Sequence, residues 1–345
     1  MLNNSKPLIT TIIPTYKRPH LIGKAIESVL NQSFSDFLIY VCDNASGDET
    51  SEVVADYARK DARIKYFCHP ENIQAIPNFN FGMRQVGTPF FSLLADDNAL
   101  LSHFFEDAIS ILTDRPEAIL FAGQTIMINE KGQRIGSSLT SWDTGLALPP
   151  EGLVNIWEKK LPTWESVLFR REVIESVGFL DISVNPSTDQ DFMMKIARKH
   201  AMYISKKPCA LFLRHQKAWA FNRDLTEIVD SWRKMAETWL HDEGLSESLK
   251  ERIRKAYRKR ARIAIVNNLY IEGIMKNNSD IVPEAVKILN EHFGFSFKTF
   301  RAVMIVKLAQ QYKILRTLIL KSSQWYIQTK RNLSNYLIRL STKNK

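Results

Sequence analysis

The chain has 345 residues, of which 45% are hydrophobic and 24% charged, so it is long enough to bury a core and to form about two domains. No uncharged apolar run approaches the ~20 residues of a transmembrane helix, and Pro7 ahead of an apparent strand argues against a signal peptide. Cys42, Cys68 and Cys209 form no CxxC pair, which indicates core thiols in a reducing compartment, not a disulfide framework or a zinc site.

Residues 8–120 alternate short apolar runs with helical patterns, which is typical of βαβ units and a parallel sheet. The predicted strands are residues 8–14, 37–43, 63–69 and 89–97, and the predicted helices are residues 20–33, 48–62 and 78–86. Open α/β sheets bind ligands beyond the carboxyl ends of their strands. We therefore expect a ligand site where these strands end.

The rest of the chain divides near residue 225. Residues 121–225 mix strands and helices, whereas residues 226–345 show helical patterns alone. We predict one domain at residues 1–225, with halves at about 1–120 and 121–225, and a basic α-helical region at residues 226–345.

Polar residues follow three of the predicted strands. Asp96, Asp97 and Asn98 end the fourth strand, where they favour either a turn or a divalent-cation site, and the triplet alone favours the turn. Tyr16 follows the first strand and Asp43 ends the second. An aromatic ring can stack on a base and a carboxylate can accept a ring N–H, but a surface turn and an Asx-turn explain the pair equally well.

Four ordered blocks of this sequence resemble the family 2 inverting glycosyltransferases of the GT-A fold, of the type that assembles bacterial polysaccharide and O-antigen. The blocks are residues 11–34, 38–50, 71–101 and 166–199. The resemblance implies a Rossmann-like, mostly parallel central sheet flanked by helices, followed here by an α-helical C-terminal extension. It also implies that residues 1–225 are the catalytic domain.

The resemblance assigns the donor-side residues. Pro14, Tyr16 and Asp43 are expected to bind the nucleotide-sugar, with uracil as the base. Asp97 takes the place of the aspartate that binds Mn²⁺ or Mg²⁺, and Asp96 is expected to assist at the ribose or at a metal-bound water. This sequence departs from the family's DXD motif, because alanine precedes Asp96 and asparagine follows Asp97.

The resemblance also assigns catalytic and acceptor-side residues. Asp189 aligns with the family's general base, and Asp191 is a second candidate, although an aspartate before a helix is commonly an N-cap. His215 is a candidate metal ligand or phosphate donor, or an ordinary histidine. Trp164 and Glu165 are expected to line the acceptor side, and a core tryptophan is the equal alternative for Trp164.

These assignments predict a metal-dependent inverting enzyme that moves a hexosyl or N-acetylhexosaminyl group from a UDP-sugar to a glycan hydroxyl. The acceptor is expected to be linked to a lipid diphosphate in cell-surface polysaccharide assembly. The alternatives are a nucleotidyltransferase, which usually has a glycine-rich loop that is absent after the first strand, and a basic nucleic-acid-binding protein. No recognised nucleic-acid module supports the second alternative.

The C-terminal end carries the positive charge. The formal net charge is +10, and the residues after Glu291 hold eleven Lys and Arg but no acid. Such a segment favours an anionic surface, either phospholipid or nucleic acid. Residues 325–340 have an amphipathic pattern that suits anionic lipid, or packing on the catalytic domain or a second subunit. We expect a cytoplasmic protein that is peripheral on the inner face of the plasma membrane.

Overall fold

The computed structural model describes residues 6–159, 161–214, 225–294 and 296–322, which form two units. The first unit contains the described residues up to 214 together with residues 231–256. The second contains residues 225–230 and the described residues from 257 onward. The domain boundary near residue 225 stays a prediction.

The first unit is built on a ten-stranded sheet. Its strands are β1 (Ile9–Thr15), β2 (Phe37–Asp43), β3 (Ile64–Cys68), β4 (Phe90–Leu93), β5 (Ala99–Leu100), β6 (Ala118–Asn129), β7 (Arg134–Ser137), β8 (Gly145–Ala147), β9 (Val167–Arg170) and β10 (Ala201–Arg214). The helices among these strands are α1 (Pro19–Leu30), α2 (Thr50–Lys60), α3 (Ala75–Arg84), α4 (Phe104–Asp114), α5 (Glu151–Lys159), α6 (Glu172–Val177) and α7 (Thr188–Lys199). The sequence continues into α8 (Leu225–Leu240) and α9 (Glu247–Asn268).

The sheet has the strand order β3-β2-β1-β4-β9-β6-β10-β5, with β7 beside β6 and β8 beside β10. β1 is parallel to β2 and β4, and β2 is parallel to β3, as predicted. β9 is antiparallel to both β4 and β6, so the sheet is parallel around β1 and mixed beyond β4. The structure confirms the α/β class and the central sheet flanked by helices.

Burial on both faces explains the apolar runs of the central strands. Ile9, Ile12 and Ile13 of β1 have no exposed surface, because helices cover the sheet on both sides. β4 ends at Leu93, whereas the predicted strand continued to residue 97. The chain leaves the sheet there and turns at Asp96 and Asp97.

Gly82 of α3 allows this helix to approach β1 and β2 closely. A Cβ atom at position 82 would lie 2.4 Å from Cγ2 of Ile12 and 3.1 Å from Sγ of Cys42. Both neighbours are fully buried, so neither side chain can move aside cheaply. Gly82→Ala should therefore lower the free energy of unfolding by about 1–3 kcal/mol.

Urea denaturation measures this effect, with Gly87→Ala as the matched control. A Cβ at position 87 meets no atom within 4 Å, so the control should change stability by less than about 1 kcal/mol. Equal stability changes in the two variants would contradict the close packing of α3 on the sheet.

The described part of the second unit is helical. It includes α10 (Ile281–Ile288), α11 (Phe297–Gln311) and two π-helical segments, Leu269–Met275 and Leu289–Phe293. Ser296 caps α11 in a capping box with Thr299. The predicted helical C-terminal region is confirmed for the described residues. No helix among them is long and apolar enough to cross a membrane.

Candidate active site

The carboxyl ends of β1, β2 and β4 meet at one edge of the sheet. Thr15 and Asp43 are register partners at the ends of β1 and β2. The backbone N–H of Lys17 donates to Oγ of Ser46 over 2.8 Å, which joins the loops after these two strands. Oγ1 of Thr15 donates to Oδ2 of Asp96 over 2.8 Å. The three polar loops thus form one continuous surface, as the predicted parallel sheet requires.

Tyr16 lies on this surface with 40% of its area exposed. A side-chain hydrogen bond with Asn72, supported by Lys17, lowers the pKa of its phenol. Asn72 also accepts a hydrogen bond from Nδ2 of Asn44 over 3.1 Å. Tyr16 therefore presents an exposed aromatic ring at this edge of the sheet. Pro14 is half-buried within β1, next to the loop that carries Tyr16.

Asp43 is turned inward and is only 1% exposed. Its Oδ1 accepts from the N–H of Ser46 over 2.9 Å and from the Ser46 hydroxyl over 2.6 Å. Its Oδ2 accepts from the hydroxyl of Tyr66 over 2.5 Å. The Ser46 contacts form a side-chain-to-backbone turn over three residues, whereas the Asx-turn of the alternative interpretation joins residues two apart. A ring N–H can reach Asp43 only through lone pairs that these donors leave unused.

Arg18 bridges the two aspartates that follow β4. Its Nη1 lies 2.8 Å from Oδ1 of Asp96 and 2.9 Å from Oδ2 of Asp97. Burial raises the pKa of Asp96, and the positive charge of Arg18 opposes that rise. The sequence pattern did not single out Arg18, although a basic residue after β1 at the same edge as an acidic pair was a usable signal. Asp96 and Asp97 also lie in a turn that the N–H of Asn98 closes by donating to the carbonyl oxygen of Ala95 over 3.0 Å, so the turn alternative is confirmed and the ion pair is an additional contact.

The donor set of Asp96 and Asp97 fits a hard divalent cation. Two carboxylate oxygens converge on a single cationic nitrogen of Arg18, and Mn²⁺ and Mg²⁺ favour oxygen ligands. No cluster of three or more His, Cys, Asp or Glu suited to a metal occurs among the described residues. Mg²⁺ is commonly held by one or two carboxylates together with substrate phosphates, so two suffice. His215, the third predicted ligand, lies outside the described residues.

Asn98 connects the end of β4 to the acceptor half of the sheet. Its Oδ1 accepts from the N–H of Leu213 in β10 over 2.9 Å, and its Nδ2 donates to Oε1 of Glu165 over 3.0 Å. Glu165 lies in a single 3₁₀ turn before β9 and is 3% exposed. Burial, together with the negative charges of Asp189 and Asp97, raises the pKa of Glu165 to about 7.

Asp189 lies in the first turn of α7 but is not its cap. Ser187 is the N-cap residue, so the capping alternative for Asp189 is wrong. Oδ1 of Asp189 accepts from the N–H of Gln190 over 2.8 Å, and the side chain is half-buried. A carboxylate at this position is stabilised by the helix dipole. The negative charge of Asp189 contributes to the raised pKa of Glu165, so the two carboxyl groups lie near each other.

Asp191 is paired within α7. Its Oδ2 lies 2.6 Å from Nζ of Lys195, which is also 3.5 Å from Oδ2 of Asp181. Burial raises the pKa of Asp191, and the bond to Lys195 opposes that rise. A base that must take a proton from a substrate is poorly served by such a partner. The ion pair with Lys195 therefore counts against Asp191 as the base.

Trp164 packs against α3 beside the site. Its ring centroid lies 4.9 Å from that of Phe79, with the ring planes tilted by 39°. The side chain is half-buried, so the tryptophan contributes to the core and still presents some surface. Both predicted alternatives for Trp164 are compatible with this position.

Glu165→Gln should remove a pH-dependent loss of stability from the metal-free protein. The folded state raises the pKa of Glu165 from its ordinary 4.5 to about 7, so folding favours the protonated form. This contribution is fully present below pH 4.5 and is lost as the pH rises through 7. The loss is on the order of 3 kcal/mol, because one pKa unit corresponds to about 1.4 kcal/mol.

Unfolding by urea in EDTA at pH 5 and pH 8 tests this prediction. The free energy of unfolding of Glu165→Gln should fall less than that of the wild type between the two pH values. Glu175→Gln is the control, because the Glu175 side chain is 65% exposed, and it should follow the wild type. Identical pH dependence in all three proteins would contradict the assigned burial of an ionisable Glu165.

Comparisons with known proteins identify a matching family and similar folds. Residues 10–178 match the family described as Glycosyl transferase family 2. A Campylobacter jejuni relative named GalNAc(5)-diNAcBac-PP-undecaprenol beta-1,3-glucosyltransferase is 42% identical over 98 residues. That alignment covers 28% of this chain and 31% of the relative, so the chain spans about a third of the relative's length.

Two solved structures resemble the fold. S. aureus TarS 1-349 in complex with UDP-GlcNAc has a TM-score of 0.60 at 14% identity, covering 88% of this chain and 91% of that chain. The mannosyltransferase PcManGT of Pyrobaculum calidifontis, in complex with GDP-Man and Mn²⁺, has a TM-score of 0.54 at 15% identity. That match covers 96% of this chain and 88% of the mannosyltransferase chain. At such identities the similarity shows a shared fold.

Proposed function

Because the chain belongs to glycosyltransferase family 2 through residues 10–178, we propose that it transfers a sugar from a UDP-sugar to a hydroxyl group of a glycan, with inversion at the anomeric carbon. The family match disfavours the nucleotidyltransferase and the nucleic-acid-binding protein, because the matched residues include the strand ends that form the site. The transferred group is proposed to be hexosyl or N-acetylhexosaminyl.

One observation carries the proposal, namely that Asp97 and Asp189 both raise the pKa of the same buried carboxyl group, that of Glu165. Both negative charges raise the pKa of Glu165, although Asp97 follows β4 and Asp189 begins α7. The candidate metal ligand and the candidate base therefore flank a single site. A transferase that joins a donor to an acceptor needs this juxtaposition, whereas two unrelated turns do not.

The donor side is proposed to hold a nucleoside diphosphate. Tyr16 stacks on the uracil ring, and Pro14 and Asp43 line the same pocket edge. Asp96 and Asp97 would hold Mn²⁺ or Mg²⁺, with His215 as a further ligand or phosphate donor, and the cation would neutralise charge on the diphosphate leaving group. Arg18, which contacts both aspartates, is a further candidate to bind the phosphates.

The acceptor side is proposed to deliver a hydroxyl group to the anomeric carbon. Asp189 accepts the hydroxyl proton while the acceptor oxygen bonds to that carbon from the face opposite the diphosphate. The bond between the anomeric carbon and the diphosphate oxygen breaks, and UDP leaves with the bonding electrons. A single displacement inverts the configuration and needs no covalent enzyme intermediate. Trp164 lines the acceptor approach, and Glu165, which is buried, holds the end of β4 through Asn98.

The acceptor is proposed to be a glycan on a lipid diphosphate in cell-surface polysaccharide assembly, such as O-antigen. The name of the Campylobacter jejuni relative contains such an acceptor, which supports the proposal. The enzyme is then expected to work as a peripheral protein at the cytoplasmic face of the plasma membrane. The basic residues after Glu291 suit that anionic surface.

A transfer assay tests the proposal. The full chain is incubated with Mn²⁺, a panel of UDP-sugars and lipid-diphosphate-linked glycans, and the product is isolated for NMR. We expect one UDP-sugar to be consumed and the new linkage to have the opposite anomeric configuration to the donor. A product that retains the donor configuration would contradict the displacement at Asp189.

A further inference from the structure

Helix α11 exposes an apolar ridge formed by Phe297, Phe300, Met304 and Leu308. These side chains are 81%, 54%, 41% and 40% exposed, respectively. Their spacing of three, four and four residues places them on one face of an α-helix. Clustered exposure of large apolar residues is uncommon on a protein surface and typically marks an interaction site.

The opposite face of α11 is already packed inside the second unit. Thr299, Val303, Val306 and Ala309 are buried. A Cβ on Gly273 would lie 2.3 Å from Cγ1 of Val306, so this face contacts the π-helical segment Leu269–Met275 closely. The helix is thus apolar on two opposite faces, and packing within the second unit accounts for only one of them.

Exposed cations surround the ridge. Those of α11 and the helical residues 313–322 are Lys298, Arg301, Lys307, Lys313 and Lys321. At 100° per residue, Arg301 lies on one side of the ridge and Lys307 on the other. No acidic residue follows Glu291 in the sequence. The exposed charged side chains of α11 and residues 313–322 are therefore all cationic, which favours contact with anions.

Residues 313–322 extend the apolar surface. Ile314 and Leu318 are 78% and 59% exposed. Nε of Arg316 donates to the carbonyl oxygen of Ile274 over 2.7 Å, which fixes these residues on the same π-helical segment that supports α11. The ridge and its extension are therefore parts of one supported surface.

We propose that the α11 ridge inserts into the headgroup region of an anionic phospholipid bilayer, with the surrounding lysines on the lipid phosphates. A second copy of the chain fits less well, because like charges would meet and lysine is depleted from protein interfaces. Lysine beside an anionic bilayer is instead favourable, by about fivefold in affinity per residue. The membrane contact proposed from sequence at residues 325–340 lies outside the described residues, and the α11 ridge is a separate element.

This inference deepens the proposed function, on which its biological purpose rests, but lipid binding does not require catalysis. The test is sedimentation of the full chain with vesicles of phosphatidylglycerol and phosphatidylcholine, or of phosphatidylcholine alone. We expect binding only to the anionic vesicles, weakened by raising the salt from about 0.1 M to about 0.5 M. Phe297→Ser combined with Phe300→Ser should weaken vesicle binding at least tenfold.

The matched control is Ile135→Ser combined with Ile182→Ser, which removes two apolar side chains that are 42% and 58% exposed in the first unit. This control should bind vesicles as the wild type does. Equal vesicle binding by the ridge variant, or no binding by the wild type, would overturn the inference. The inference would also be overturned if the wild type formed dimers in analytical ultracentrifugation and the ridge variant did not, because a second copy would then cover the ridge. UDP titration of the same proteins reports separately on the proposed function.

Discussion

Asp189→Asn should lower kcat by a factor of about 10²–10⁴ and leave UDP affinity within about twofold of the wild type. Asparagine keeps the shape of the side chain but cannot accept the hydroxyl proton at neutral pH. Nucleotide binding should persist, because Tyr16 and the loop after β4 supply it. Initial rates of UDP release in the transfer assay, together with calorimetric titration of UDP, separate the two effects.

Asp191→Asn is the matched control for this substitution. It removes a carboxylate two positions along α7 and breaks the pair with Nζ of Lys195, which lies 2.6 Å from Oδ2 of Asp191. We expect a lower melting temperature with kcat largely retained, because Lys195 loses a buried partner. Full turnover by Asp189→Asn with loss of turnover by Asp191→Asn would reverse the assignment of the base.

Asp97→Asn should abolish the metal dependence of UDP binding. In Mn²⁺ the dissociation constant should rise at least tenfold, a loss of about 1.4 kcal/mol, and should equal the value measured in EDTA. The neutral amide is a weak ligand for a hard cation, and Arg18 would then be balanced by Asp96 alone. The loss should exceed that from any exposed carboxylate, because burial strengthens the electrostatic attraction.

Asp56→Asn is the control for the charge change, since Asp56 lies on α2 with its side chain 60% exposed and should not affect UDP binding. Retained metal dependence in Asp97→Asn would contradict the role given to Asp97. In that case Asp96 is the next candidate ligand, because both carboxylates contact Arg18. Loss of the metal dependence in Asp96→Asn, measured by the same titration, would then assign the metal to Asp96.

The sequence predicted the elements that local patterning determines. Apolar runs place β1, β2 and β3 within one residue at every end. The central strand β1 is buried on both faces, whereas β3 lies at the edge of the sheet and is only partly buried. The predicted site edge followed from that parallel arrangement. The end of β4 was missed, since Leu94 is fully buried and continues the apolar run after the strand has ended.

Contacts between distant segments were beyond the sequence pattern. Arg18 reaches Asp96 and Asp97 across strands β1 and β4, and strand periodicity does not specify which long side chain meets which acid. Asn98 joins Glu165 in the same way, from a loop after β4 to a turn before β9. Such pairs depend on the strand order of the whole sheet, which no local spacing encodes.

Calorimetric titration of UDP into the full chain, first with Mn²⁺ and then with EDTA, tests the central claim most directly. GDP and CDP serve as controls for the base. We predict binding of UDP that needs the metal and that exceeds the binding of GDP and CDP by at least tenfold. Absence of binding by any nucleotide, or equal UDP binding in EDTA, would contradict a metal-dependent UDP-sugar site at Asp96 and Asp97.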